Sequence, residues 1–103
     1  MSYQLVITEP AEIDMTKIGL YISKELHSPK AAIDLLDEID QQILSLKEMP
    51  KRYTLVSDER LAHLGVRKIP IKNYLVFYAV DESTETVTII RVMYGRRDWT
   101  EKL

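Results

Sequence analysis

The last 40 residues of this chain constrain its fold more than any other part. Three short β-rich segments follow one another there, at about 65–71, 74–81 and 86–94. They are apolar and β-branched or aromatic, and each is bounded by turn formers. The link 81–86 is short and polar, as a hairpin loop should be, and the link around Asn73 is shorter still. Strands joined so closely have little choice but to pair antiparallel. A sheet of this kind is apolar on at least one face and needs something to cover it.

The first half supplies the cover. Tyr3-Gln4-Leu5-Val6-Ile7-Thr8 alternates apolar and polar and reads as a further strand, ended by Glu9-Pro10. From about Ala11 the period changes: Met15, Ile18, Ile22 and Leu26 fall at helical spacing, with Tyr21 beside them. Ser28-Pro29 places an N-cap residue before a proline at the first helical position, so a second helix starts there. Its apolar stripe is Ala32, Leu36, Ile39, Ile43 and Leu46, its acids point mostly outward, and Met49-Pro50 closes it. The short link makes the two helices an antiparallel hairpin. Residues 51–65 are polar and mixed, with a helical turn expected within Glu59–Leu64. The expected order is strand, helix, helix, strand, strand, strand. This is an α+β domain in which a helical hairpin lies on one face of a small antiparallel sheet. At 103 residues it forms one domain with one core.

Composition narrows the chemistry. The chain has no cysteine, which excludes disulfides, thiolate metal sites and cysteine nucleophiles. The two histidines, His27 and His63, do not recur with carboxylates at metal-ligand spacing, so no metal is expected. There is no P-loop, dinucleotide fingerprint or nucleophile elbow, and no cofactor is called for. No signal peptide or membrane-length apolar run is seen, and a cytoplasmic address is expected. The net charge of -2 conceals an asymmetry. Residues 1–59 carry 6 basic against 11 acidic residues, and residues 60–103 carry 8 against 5. Two surfaces of opposite sign follow, the basic one suited to nucleic acid or an acidic protein.

The candidate functional residues are therefore the cations and aromatics of the second half. Strand alternation puts Arg67 on a face with Ile69 and Ile71, and Lys68 and Lys72 on the other. It puts Arg91 with Val87, Ile89 and Met93, opposite Ile90, Val92 and Tyr94. Arg91 is either displayed on an open sheet face or paired with an acid such as Asp98. Arg96, Arg97 and Trp99 follow the last strand, where cations beside a ring suit a phosphate backbone and a stacked base. A lone tryptophan such as Trp99 is more often a core or edge packer than a stacking platform. Cleavage of RNA by its own 2′-hydroxyl needs positioning, a proton acceptor and stabilised negative charge. Arg67 and Arg91 can supply the charge, and Tyr94 or Lys68 the proton transfer.

In Gly65-Val66-Arg67-Lys68-Ile69-Pro70-Ile71-Lys72-Asn73-Tyr74-Leu75-Val76-Phe77-Tyr78 and Ile89-Ile90-Arg91-Val92-Met93-Tyr94-Gly95-Arg96-Arg97-Asp98-Trp99, the chain resembles the RelE/ParE superfamily of type II toxin–antitoxin toxins. The resemblance extends over nearly the whole chain, and the element order expected above is the one those toxins use. It implies a small cytoplasmic toxin held inactive by a cognate antitoxin that wraps an extended or helical segment around it. Operator DNA would be met only indirectly, through the antitoxin. RelE-type members enter the ribosome and cut mRNA, while ParE-type members poison DNA gyrase. Several RelE-type toxins carry an arginine after the central-strand tyrosine, where this chain has Leu75. One branch has a histidine–tyrosine pair where this chain has Met93-Tyr94. Lys68 partly matches the RelE-type lysines, and the Gly95–Asp98 ending looks more like the ParE side. The expected activity is ribosome-dependent mRNA cleavage, with gyrase poisoning or retained antitoxin binding alone as alternatives. The residues expected to act are Arg67, Lys68, Arg91 and Tyr94, with Lys72, Arg96, Arg97 and Trp99 meeting the target.

Overall fold

A computed structural model describes residues 2–95. Strand β1 (Gln4–Ile7) leads into helix α1 (Glu9–Leu20), which ends in a π-helical turn (Tyr21–Glu25). Helix α2 (Pro29–Ser45) follows, then the short α3 (Glu59–His63) and strands β2 (Val66–Ile71), β3 (Tyr74–Asp81) and β4 (Thr86–Tyr94). The sheet order is β1-β4-β3-β2. The three C-terminal strands pair antiparallel, as their short links require. β1 joins at the edge parallel to β4, so the sheet is mixed. The long return through the helices makes that parallel pairing feasible.

Local chemistry sets the helix ends. Thr8 caps α1 by accepting a hydrogen bond from the Ala11 N–H at 3.2 Å. Glu9 and Glu12 complement the positive end of the helix dipole. In α2, Pro29 sits in the first turn and Ser28 at the N-cap, although the Ser28 hydroxyl makes no capping bond. α2 stops at Ser45, four residues before Met49, and turns carry the chain on to Pro50. Gly65 closes α3 at φ 83, a left-handed conformation that suits glycine at this position.

The main core lies between the helices and the sheet. Ala32, Leu35, Ile39, Ile43 and Leu46 meet Ile69, Ile71, Val76, Tyr78, Val87, Ile89 and Val92. The fully buried stripe of α2 therefore includes Leu35, where the sequence suggested Leu36. Leu36 is half-buried and turned toward α1, so that a Cβ on Gly19 would lie 3.0 Å from its Cδ1. The opposite sheet face is covered in part as well. Val56 and Leu61, from the loop and α3, pack there on Val66, Phe77 and Met93.

β4 departs from simple alternation. Phe77 pairs with Arg91 and Tyr78 with Ile89, so Ile90 has no partner of its own. This bulge flips the side-chain alternation beyond it. Val92 joins Val87 and Ile89 under the helices, and Met93 joins the second cluster with Ile90. The sequence pattern had grouped Met93 with Val87 and Ile89.

Candidate functional site

Among the described residues, Arg67, Lys68 and Arg91 do not converge on one point. Arg67 lies on the helix side of β2, where its Nη1 donates to the Tyr53 carbonyl at 2.7 Å. Tyr53 in turn donates to Gln42 Oε1 of α2, which ties β2 to the helical layer. Lys68, the next residue, alternates to the other face and is half-buried. Arg91 is paired with an acid, Asp14 of α1, while the suggested partner Asp98 lies outside the described residues. Its Nε and Nη2 donate to the two Asp14 oxygens at 2.6 and 2.8 Å. The side chains are 26% and 12% exposed, so water screens the pair only partly. The carboxylate raises the Arg91 guanidinium above its already high range, and burial opposes it. Arg96, Arg97, Asp98 and Trp99 lie outside the described residues.

Tyr94 and Lys72 do come together. They stand at the mouth of a groove of about 820 Å³ between the tip of the helical hairpin and the β2–β3 turn. Ile18, Ile22 and Leu35 form part of its apolar lining. Tyr21 and Leu26 also line it, 52% and 56% exposed. Lys17 and Lys72 carry its positive charge. Tyr74 meets Tyr94 edge to face, with ring centroids 5.7 Å apart. Burial, then the neighbouring Tyr21 and Tyr94, holds the Tyr74 hydroxyl above the ordinary tyrosine range. Lys72 has φ 54, a left-handed conformation uncommon for a lysine, in the tight turn at the groove's mouth.

The groove is made by local irregularities. The π turn over Tyr21–Glu25 alters the helical advance. His27, at φ 51, then reverses the chain into α2. Together these steps leave Tyr21 and Leu26 uncovered at the hairpin tip. Sequence reasoning missed Lys17, Tyr21 and Tyr74 as site residues. Its only signal was Tyr21 beside the apolar stripe of α1. The described residues contain no group of three histidines, cysteines or carboxylates placed to hold a metal. None of their helices is long and apolar enough to cross a membrane.

The sequence profile of the ParE toxin of the type II toxin–antitoxin system parDE matches residues 5–99. The chain belongs to the ParE toxin family. No curated protein matches it in sequence. Solved structures share its fold at low identity. A chain of the chromosomal ParDE system of P. aeruginosa superposes with a TM-score of 0.72 at 19% identity, covering 90% of this chain and 96% of that one. An arginine double mutant of free E. coli RelE gives 0.69 at 17% identity, over 99% and 93% of the two chains. A chain of the RelBE2 toxin–antitoxin complex of Mycobacterium tuberculosis gives 0.64 at 20%, over 91% and 99%. This ParE-family chain is thus a type II toxin of the RelE/ParE superfamily.

Proposed function

We propose that this toxin arrests growth by binding a protein target, DNA gyrase in the ParE manner, through its C-terminal end. A cognate antitoxin holds it inactive. The observation that carries this reading is the dispersal of the candidate cations among the described residues. Transfer of a proton and stabilisation of a phosphorane need groups within hydrogen-bond reach of one reacting centre. Arg67 and Lys68 serve opposite faces of β2, Arg91 is held by Asp14, and Tyr94 packs on Tyr74. Binding a protein surface requires no such convergence. Leu75, half-buried where several RelE-type toxins have an arginine, supports the same reading. Cleavage of mRNA, the activity first expected from sequence, would have to draw its convergent cations from Lys68, Lys72, Arg96 and Arg97.

The antitoxin's place is the groove. Its apolar lining and the lysines Lys17 and Lys72 complement an amphipathic segment with an acidic rim. The groove adjoins Tyr94, so a segment seated there would also stand over the start of the C-terminal end. The test is supercoiling by purified gyrase with the toxin added. Inhibition that is relieved by the antitoxin supports the proposal. Unimpaired gyrase, together with cleavage of ribosome-bound mRNA by the same preparation, would overturn it in favour of the RelE mode.

A further inference from the structure

We infer that Asp14 is a positioning residue for the last residues of β4, Arg91 to Tyr94, taking over from β1 as the neighbour of that strand. The parallel ladder between β1 and β4 runs only from Gln4–Thr86 to Ile7–Ile89. Beyond Ile89 the outer edge of β4 would face no strand. Groups of the N-cap Thr8 and of α1 take over in sequence. The Thr8 N–H donates to the Ile89 carbonyl at 3.1 Å, and the Thr8 hydroxyl to the Ile90 carbonyl at 2.9 Å. Asp14 comes next. Its Oδ2 accepts the Val92 N–H at 2.9 Å and the Arg91 Nε at 2.6 Å, and its Oδ1 accepts Arg91 Nη2 at 2.8 Å.

A single carboxylate thus fixes both the backbone and a side chain of β4 at the first residues past the bulge. This is where the strand is least determined, because the bulge removes one rung of the β3–β4 ladder at Ile90. Two contacts downstream depend on the same register. Tyr94 rests on Tyr74, and the Gly95 N–H donates to the Asn73 carbonyl at 2.7 Å. Gly95 leads directly into Arg96 and Arg97. Asp14 therefore acts at a distance, through Arg91 and Val92, on Tyr94 and Gly95. It lies some 77 residues away in sequence.

The inference rests on the proposed role of the C-terminal end in toxicity, and the experiment separates the two. Amide hydrogen exchange of the full chain is compared for wild type, Asp14→Ala and Asp14→Asn. Growth arrest by each is measured in parallel. Asp14→Ala should speed exchange at Val92 and Gly95 tenfold or more, leave Ile39 and Ile43 of α2 unchanged, and weaken growth arrest. Asp14→Asn keeps one acceptor oxygen for the Val92 N–H but no charge for Arg91, so it should fall between the two. Unchanged exchange at Val92 and Gly95 in both variants would overturn the inference. So would uniform acceleration across α2 and β4, which marks a global role. Local acceleration with full growth arrest would support the positioning and count against the C-terminal end as the toxic element.

Discussion

Truncating Leu35 to alanine should destabilise the toxin far more than truncating Leu36, although the two are neighbours on one helix. Leu35 is 3% exposed and belongs to the main core under the sheet. Losing it removes about 2 kcal/mol of burial and leaves a cavity that the β-sheet floor cannot collapse to fill. The total should be about 3–4 kcal/mol, within the range of roughly 2–5 kcal/mol for such truncations. Leu36 is half-buried, and its Cδ1 lies close to the backbone at Gly19. Its neighbour there is a residue without a side chain, and solvent reaches its other side. The loss should be about 1–2 kcal/mol, roughly half of a full burial. Urea denaturation followed by circular dichroism measures both. The slopes should match wild type and the midpoints should separate, since the denatured state is unchanged. For a domain of this size each kcal/mol moves the melting temperature by about 4–8 °C. Equal losses in the two variants, or a larger loss for Leu36→Ala, would refute the packing described for α2.

Replacing Lys17 and Lys72 together by glutamate should slow antitoxin association by about tenfold at low salt and leave the melting temperature within a degree or two, as stopped-flow mixing across ionic strengths would report. Tyr78→Phe should cost about 1 kcal/mol, because the fully buried Tyr78 hydroxyl donates to the Pro50 carbonyl at 2.8 Å. Burial raises the Tyr78 pKa above its ordinary value of 10.0, and the Tyr53 backbone and then the nearby Arg67 oppose this only in part. The stability gained by keeping that hydroxyl protonated is complete below about pH 10 and is lost as pH rises through the folded value. The alkaline limb of a pH–stability curve should therefore be shallower in Tyr78→Phe than in wild type.

The elements were legible because their punctuation is local. Pro29 fixed the start of α2, and the polar link before Thr86 separated β3 from β4 almost to the residue. Four positions of the α2 stripe were read correctly and one was misplaced, because Leu35 and Leu36 both fit a 3.6-residue period. Only the tertiary placement of α1 decides which of them faces the sheet. The bulge at Ile90 left no trace, since one isoleucine among β-branched neighbours looks like any other strand residue. That single inserted residue moved Val92 and Met93 to faces opposite to those expected. The Asp14–Arg91 pair is a contact between distant segments, and no local pattern in the sequence announces it. The groove was invisible for the same reason. It takes its lining from α1, the π turn, α2, the β2–β3 turn and the end of β4, and no one stretch of sequence carries its pattern.

Gyrase binding without RNA cleavage is the action proposed for this ParE-family toxin. Induced expression, with mRNA 5′ ends mapped and gyrase-dependent DNA breaks counted in the same cells, tests it most directly. Growth arrest should come with an accumulation of DNA breaks and no new 5′ ends within coding sequences. New 5′ ends in phase with translated codons, appearing before any DNA damage, would contradict it.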